Sequence, residues 1–244
     1  MIEPLFTTRL MNDLFGGIAT ALLRALGFHP ANPAAPINEA FALEMLVACG
    51  LILFFLVVRL TLSVDKPNAV QQIAEMIHEF TGSQAEQVIG HGYERFQPFV
   101  TCVLLFILLN NFMGLFPRVI TPTSQPAVPL GIAALTFLYY NFHGLRVHGP
   151  IRYFKQFAGP VWWMSPLMFL IEVISHLARM MSLTIRLYAN MLASDLLVLI
   201  GFSMIPLAFP VLPLALHFFV SIIQAYVFML LAMIYLSLAV SHEH

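Results

Sequence analysis

Long apolar runs fill most of the chain, and short polar stretches separate them. In a window of about 19 residues, five runs are apolar enough to predict membrane-embedded helices. Their approximate limits are 41–62, 96–116, 128–145, 166–200 and 206–240. The last two runs exceed the roughly 20 residues that cross a bilayer perpendicularly, so these helices must tilt or bend. Pro206 and Pro210 lie between them and predict a hairpin.

A sixth segment has a helical period but a different character. In residues 67–88 the apolar side chains recur at helical spacing, and polar side chains occupy the other faces. This pattern predicts an amphipathic helix that lies on the membrane surface. The apolar positions are Val70, Ile73, Ala74, Ile77 and Phe80.

Composition points to the same class of protein. The chain is 60% hydrophobic and 9% charged, which is more apolar surface than one water-soluble core of 244 residues can bury. We therefore expect an all-α polytopic membrane protein with a single domain, residues 1–244. Its parts would be an N-terminal surface segment (1–40), peripheral helices (41–160) and the hairpin (161–244). Asp13 and Arg24 interrupt the apolar stretch 10–28, so we expect that stretch to be retained rather than cleaved as a signal.

The positive charges predict an orientation. With five spans, one side of the membrane collects Arg59, Lys66, Arg95, Arg146, Arg152 and Lys155. The other side has Arg9, Arg24 and Arg118. Cytoplasmic loops carry the excess of lysine and arginine, so we expect the N-terminus outside and the C-terminus in the cytoplasm. The net charge of −1 argues against a nucleic-acid partner.

A stripe of charged residues crosses the fourth apolar run. Glu172, Arg179 and Arg186 recur every seven residues, which places them along one helix face over about 21 Å. Ser175, Ser182 and Asn190 fall close to that face, and we expect Leu183 to share it. An arginine at bilayer depth costs roughly 2.5–3.5 kcal/mol, so such groups usually mark an ion or proton pathway. The alternative for Glu172 and Arg179 is a structural ion pair.

A second polar set lies on the opposite side of this helix. Asp195 is nine residues after Arg186, about half a turn out of phase, so it should face a different neighbour. On the fifth run His217, Ser221, Gln224 and Tyr235 share a face that can meet Asp195 across the hairpin. We expect a proton path there, with a satisfied structural histidine as the alternative for His217.

These residues stand in motifs that resemble the a-subunit family of the rotary F-type ATP synthases. The matching stretches are Glu172-Val-Ile-Ser-His-Leu-Ala-Arg179, Ser182-Leu-Thr-Ile-Arg-Leu-Tyr-Ala-Asn-Met191, Gln224-Ala-Tyr-Val-Phe-Met229, Ile234-Tyr-Leu-Ser-Leu-Ala239 and Asn110-Asn-Phe-Met-Gly-Leu-Phe-Pro117. The chain departs from the common pattern at Met180, Ala189 and the pair Ser194-Asp195. The resemblance covers about residues 41–243.

The resemblance implies specific roles. Arg186 would face the ring of c subunits and meet its ion-carrying carboxylate. Asn190, Asp195, His217 and Gln224 would line the periplasmic half-channel, and Glu172 with Ser175 the cytoplasmic one. Supporting residues would be His176, Arg179, Ser182, Ser221 and Tyr235. The family further implies peripheral-stalk b subunits and the other synthase subunits as partners, no cofactor or metal, and a bacterial inner membrane.

Two other functions compete with this reading. A self-contained channel or secondary transporter would be expected to show inverted repeats or paired broken helices, and neither is evident in the sequence. A membrane-embedded metal-dependent hydrolase is suggested by the spacing of Glu172 and His176. The sequence has no His-Glu-x-x-His, Gly-x-Ser-x-Gly or Cys-x-x-Cys motif. It also has no Gly-x-x-x-x-Gly-Lys motif, so we expect nucleotide chemistry to belong to partners.

Overall fold

The computed structural model describes residues 6–25, 36–63, 67–116, 119, 121–149, 165–204 and 211–240. Within these ranges the regular structure is helical and contains no strand. The helices are α1 (Phe6–Ala25), α2 (Glu39–Leu60), α3 (Ala69–Ile89), α4 (Gln97–Met113), α5 (Ala127–His148), α6 (Ser165–Met204) and α7 (Val211–Val240). Short 3₁₀ turns at Tyr93–Arg95 and Pro122–Ser124 precede α4 and α5. The all-α fold predicted from the sequence is confirmed.

Each predicted apolar run corresponds to one helix. By length and composition, α2, α6 and α7 are long and apolar enough to cross a membrane, and α4 is apolar but only 17 residues long. The 22-residue α5 carries Asn141, His143 and Arg146 in its second half. At 1.5 Å per residue the 40-residue α6 is about 60 Å long, twice the hydrocarbon thickness, which fits the predicted tilt. Pro206 and Pro210 lie outside the described residues.

Helix α7 is the centre of the fold. It packs against α3, α4, α5 and α6. Ala225, Met229, Met233 and Leu236 on α7 are completely buried in a core shared with α4, α5 and α6. Small and flexible side chains at these positions let four helices approach a single one closely. This arrangement fixes α7 as the reference element against which the polar residues of α4 and α6 are placed.

The amphipathic helix predicted over 67–88 exists as α3, but its packed strip is not the predicted apolar one. The buried residues are Gln71, Thr81, Gly82 and Ala85, whereas Ile73, Met76 and Phe80 are exposed. Thr81 Oγ1 lies 2.9 Å from Thr101 Oγ1 on α4, and Gln97 Nε2 donates to the His78 carbonyl at 2.7 Å. Small and polar side chains therefore hold α3 against the protein. Of the predicted apolar positions, Ile73 and Phe80 are exposed and the other three are half-buried, so part of the apolar face is open where an interfacial helix would present it to lipid.

The N-terminal helix α1 packs against α2. Asn12 on α1 bonds to Ile37, which lies just before α2. Its side chain accepts a hydrogen bond from the Ile37 N–H at 3.0 Å and donates to the Ile37 carbonyl at 3.2 Å. Most of the large apolar side chains on α2 are exposed, as on a helix that faces lipid or a partner. The assignment of residues 1–40 to the membrane surface stays a prediction.

The two ends of the helical bundle can be assigned from contacts. The Phe96 ring before α4 lies 5.2 Å from the His143 ring near the end of α5, so Arg95 and Arg146 are at one end of the molecule. The end of α4 and the start of α5 lie at the other. Lys66, Arg118, Arg152 and Lys155 lie outside the described residues, so the predicted charge distribution can be followed only in part.

Candidate functional site

Arg186 lies on an exposed face of α6. Ser182 and Asn190, four residues before and after it, are exposed as well, and so are Ala189 and Ala193. The large neighbours Leu183 and Leu187 turn inward and are only 3% and 1% exposed. Small side chains on an apolar helix allow another helix to approach closely. The face around Arg186 therefore combines a permanent positive charge with room for a neighbouring backbone.

A groove between α6 and α7 runs beside Arg186. Its volume is about 460 Å³. The residues that line it are Arg186, Asn190, Ala193, Ser194, Leu197, Leu216, Val220, Ile223, Gln224 and Val227. Gln224 Nε2 donates a hydrogen bond to the Arg186 carbonyl oxygen at 3.1 Å. This bond fixes α7 against α6 at the level of the arginine and leaves the guanidinium on the exposed side.

Asp195 and His217 meet on the packed side of α6. His217 Nδ1 lies 3.6 Å from Asp195 Oδ1, and the histidine side chain is fully buried while that of Asp195 is 20% exposed. Thr121 donates a hydrogen bond to the same Asp195 oxygen at 2.7 Å. Asp195 Oδ2 is buried and has no hydrogen-bond partner in the described part of the chain. Buried polar atoms of this kind are few in folded proteins, and each calls for an explanation.

Residues from two other helices, α6 and α4, hold the His217 ring. Its Nδ1 lies 2.9 Å from Ser194 Oγ on α6, and its Nε2 lies 3.1 Å from the Asn111 carbonyl oxygen at the end of α4. Asn111 also donates from Nδ2 to the Ser221 carbonyl at 3.3 Å and accepts from Thr123 Oγ1 at 2.6 Å. The ring is thus fixed in both position and orientation.

A second polar cluster lies towards the Arg95 and Arg146 end of the molecule. His176 on α6 is buried, and its Nδ1 lies 3.2 Å from Glu172 Oε1 and 2.9 Å from the Glu172 carbonyl oxygen. The His176 ring is 6.0 Å from the ring of Tyr140, which is 6.0 Å from that of Tyr235. Arg179 Cζ lies 5.5 Å from the centre of the Tyr235 ring, within cation–π range. This cluster joins α5, α6 and α7.

Arg186 lies midway between the two clusters along α6. Ten residues separate it from His176 and nine from Asp195, which correspond to about 15 Å and 14 Å of helix. Each cluster contains an acid and a histidine, and the fixed cation lies between them. The site is therefore two polar regions at opposite ends of one helix, interrupted by a group that cannot release a proton.

Comparison with known proteins adds to this geometry. Residues 42–237 match the profile of the family described as ATP synthase A chain. The chain belongs to this family.

Two curated relatives cover most of the chain. The ATP synthase subunit a of Koribacter versatilis is 48% identical over 207 residues, which are 85% of this chain and 84% of that protein. The ATP synthase subunit a of Solibacter usitatus is 39% identical over 186 residues, 76% of this chain and 79% of that protein. The region matched to the ATP synthase A chain family contains both clusters, Arg186, helices α3 to α6 and most of α7, and begins within α2.

The structure agrees with several of the predicted placements. Asp195 faces His217, as the half-turn offset from Arg186 predicted. His217, Ser221 and Gln224 are buried on one side of α7, and Tyr235 is half-buried. Ser175 is also half-buried, and Glu172 is paired with His176. Asn190 and Gln224 line the groove beside Arg186, where Ser194 connects them to the Asp195 and His217 cluster.

Two details of the predicted stripe differ. Leu183 does not share the face of Arg186 but is buried in the core, because the turn of α6 before Arg186 packs against the bundle. Arg179 is half-buried and lies over Tyr235, whereas Arg186 is exposed, so the three charges of the stripe do not share one environment. A long helix that packs against different neighbours along its length buries different strips of its surface.

Sequence reasoning missed the residues that support the histidine. Asn111 and Gly114 lie inside the Asn110–Pro117 motif, to which the sequence pattern assigns no role, and Thr121 and Thr123 follow it. A Cβ atom on Gly114 would overlap Thr121 Oγ1 and would lie 2.8 Å from His217 Nε2, so glycine is required for this approach.

Among the described residues no group of three or more His, Cys, Asp or Glu could hold a metal ion.

Proposed function

We propose that the chain is the proton-translocating membrane subunit of a bacterial rotary ATP synthase, and that it performs no nucleotide chemistry itself. The observation that carries this proposal is the position of Arg186, which lies on an exposed face between two acid–histidine clusters whose histidines are buried. The family match and the apolar helices α2, α6 and α7 support it. The proposed partner on the exposed face is the ring of c subunits, whose carboxylates carry the protons.

The two clusters form the two half-channels in this proposal. Asp195 and His217, with Asn190 and Gln224, conduct protons from the periplasmic side to the ring. Glu172 and Ser175 conduct them from the ring to the cytoplasm. The residues proposed to support these paths are His176, Arg179, Ser182, Ser221 and Tyr235. His176 and Asp195 lie about 15 Å and 14 Å along α6 from Arg186, and in this proposal the ring carboxylate carries the proton past the arginine from one path to the other.

The arginine separates the half-channels. A guanidinium stays protonated in proteins, so it cannot pass a proton from one cluster to the other. A ring carboxylate that has lost its proton is attracted to this charge, passes it, and is reprotonated on the other side. Each proton that moves through 100 mV carries about 2.3 kcal/mol, and the one-way order of release and uptake converts that work into rotation.

The proposal extends to orientation and assembly. The N-terminus is outside and the C-terminus is in the cytoplasm of the bacterial inner membrane, because Arg95 and Arg146 mark a common end of the bundle. Peripheral-stalk b subunits and the remaining synthase subunits complete the complex. The exposed apolar side chains of α2 are available to lipid or to these subunits.

The substitution Arg186→Ala tests the function. We expect the whole complex in inverted membrane vesicles to lose ATP-driven proton pumping and proton-driven synthesis, because no other fixed cation lies at the same level of the exposed face in the part of the chain that the structure describes. Arg186→Lys should rescue poorly, since an ammonium lacks the planar fork and can lose its proton when desolvated. Pumping is followed with a pH-sensitive dye.

Arg59→Ala is the matched control, because Arg59 is an exposed arginine near the end of α2, outside both clusters and the groove. It should leave pumping within about twofold of the unmodified complex, as most surface substitutions do. Near-normal pumping by Arg186→Ala would contradict the proposed function. Ion conduction by the purified chain without a ring would favour a self-contained channel.

A further inference from the structure

The hydrogen bonds of His217 determine which of its nitrogens exchanges a proton. The Asn111 carbonyl oxygen, 3.1 Å from Nε2, can only accept a hydrogen bond, so Nε2 carries a hydrogen. In the neutral ring Nδ1 then has no hydrogen and accepts one from the Ser194 hydroxyl at 2.9 Å. The proton that His217 gains or loses is therefore the one on Nδ1, the nitrogen that faces Asp195.

Thr121 holds the partner of that nitrogen. Its hydroxyl donates at 2.7 Å to Asp195 Oδ1, the same oxygen that lies 3.6 Å from His217 Nδ1. A separation of 3.6 Å is slightly longer than a hydrogen bond, so a small rotation of the carboxyl group closes or opens the contact. The threonine bond limits this rotation and keeps Oδ1 opposite Nδ1.

The fold places Thr121 there with several contacts. Thr121 is completely buried, and Ser124 Oγ donates to its carbonyl oxygen at 2.7 Å. Thr123 bonds to the side chain of Asn111, so the segment that delivers Thr121 is tied to the residue that fixes Nε2. Gly114 has no side chain where Thr121 and His217 meet. Residues 121–124 thus bond directly to the Asp195 carboxyl group, through Thr121, and to the side chain of Asn111, through Thr123.

We propose that Thr121 is a positioning residue for proton transfer between Asp195 and His217, and that the Asn111 carbonyl fixes His217 as the Nε2–H tautomer. In the transfer the Ser194 hydroxyl releases Nδ1, the O–H bond of the Asp195 carboxylic acid breaks and an N–H bond forms at Nδ1, which leaves a carboxylate beside an imidazolium. The reverse step restores both neutral groups. This inference rests on the proposed function, because it concerns proton transfer between two residues of the proposed inlet.

Among the described residues Asp195 is the only titratable group within salt-bridge distance of His217. The other groups that face the ring are neutral, namely the Asn111 carbonyl from α4, the Ser194 hydroxyl from α6 and the Gly114 backbone. The charge that forms on His217 is therefore balanced by Asp195 alone, and the orientation of Asp195 decides how well it is balanced.

Variants of Thr121 in the whole complex test the proposal. Thr121→Val keeps the shape but removes the hydroxyl, and it should lower passive proton conduction, in vesicles stripped of the catalytic head, by about tenfold. Thr121→Ser keeps the hydroxyl and should retain most of the conduction. Thr136→Val is the matched control, because Thr136 is equally buried but bonds only to the Ile132 carbonyl within α5. It should conduct normally.

A nitrogen NMR spectrum of His217 tests the tautomer without any substitution in the path. With ¹⁵N-labelled histidine in the unmodified complex, the neutral His217 ring should show hydrogen on Nε2 and none on Nδ1. The signal is assigned by its loss in His217→Ala. This measurement decides the tautomer even if Thr121→Val fails to assemble.

Three results would overturn the inference. They are normal conduction by Thr121→Val, equal losses in Thr121→Val and Thr136→Val, and a neutral His217 with its hydrogen on Nδ1. The substitution Asp195→Asn separates this failure from failure of the proposed function. If Asp195→Asn blocks conduction while Thr121→Val does not, only the positioning role is wrong. If Asp195→Asn conducts normally, the proposed inlet itself is wrong.

Discussion

At the scale of single residues, the structure pairs groups that lie far apart in the sequence. His217 meets Asp195, which was predictable, because the two share a hairpin and their helical phases point them towards each other. Thr121 and Asn111 contact the same pair from a segment that is 74 and 106 positions away from its partners. No spacing rule reaches across such separations. The carboxylate and histidine were therefore predictable, but the groups that orient them were not.

The contact between Asp195 and His217 predicts that their contributions are coupled. Asp195→Asn and His217→Ala should each slow passive proton conduction by at least about tenfold, because positioned acid and base groups contribute 10²–10⁴ to proton transfer. The double variant should lose less than the two single losses combined. Asp195→Glu or Asp195→His should retain substantial conduction, since an ionisable group is kept.

The measurement is proton conduction in vesicles stripped of the catalytic head. Glu86→Gln serves as the control, because Glu86 is an exposed carboxylate on α3 outside both clusters. Fully additive losses from the two single variants would show that Asp195 and His217 act as independent structural groups.

The close packing around Gly114 predicts the effect of adding a side chain at this position. In Gly114→Ala the new methyl group meets Thr121 Oγ1 and the His217 ring, and both must move. Overpacking of this type typically costs about 1–3 kcal/mol of stability, and the displaced ring should also lower proton conduction. Thermal inactivation of the purified complex measures the first effect.

Gly131→Ala is the matched control for this substitution. A Cβ atom on Gly131 of α5 has no neighbour within 4 Å, and alanine favours the helix. This variant should be at least as stable as the unmodified complex. Similar stability of the two variants would mean that the Gly114 contact can relax freely.

At the scale of helices, apolar length was the reliable signal and burial of particular faces was not. The predicted run 166–200 became α6 (Ser165–Met204), since a long apolar stretch whose one proline stands at its start has little alternative to helix in a membrane. The face assignments depended on neighbours that the sequence does not identify. Leu183 is three residues from Arg186 and still points into the core, because α6 is packed on that side. In α3 the buried residues are small and polar, because that side of the helix packs against its neighbours.

The exposed face of α6 predicts a cross-linking pattern. A cysteine at Asn190 or Ala193, in a chain whose Cys49 and Cys102 are replaced by serine, should form disulfides with cysteines on a ring subunit. Both positions are exposed beside Arg186. A cysteine at Thr184, which is 7% exposed and similar in size to cysteine, should not cross-link. Oxidation followed by gel electrophoresis reads the result.

Equal cross-linking from Asn190 and Thr184 would contradict the assignment of this face to the ring. Cross-linking at neither Asn190 nor Ala193, in a complex that still pumps protons, would contradict it as well. Efficient cross-linking at Thr184 alone would indicate that α6 is rotated in the assembled complex.

At the scale of the whole molecule, the orientation of the bundle in the membrane decides which cluster is the inlet and which is the outlet. The Asp195 and His217 cluster lies beside the end of α4 and residues 121–124, whereas the Glu172 and His176 cluster lies beside the second half of α5. The latter end also carries Arg95 and Arg146. If basic residues mark the cytoplasmic side, as proposed, the first cluster lies on the periplasmic side. Reversed insertion would exchange inlet and outlet.

Labelling of single cysteines tests this orientation. In the background without Cys49 and Cys102, a cysteine at Glu94 should react with a membrane-impermeant thiol reagent only in inside-out vesicles, since this exposed position lies at the arginine-bearing end. A cysteine at the exposed Ala127, at the start of α5, should react only in right-side-out preparations. Helix α4 separates the two positions, so they should never label from the same side. Labelling of both from one side would mean that α4 does not cross the membrane. Labelling in the reverse sense would keep the fold and the arginine barrier but would make Glu172 and His176 the periplasmic inlet.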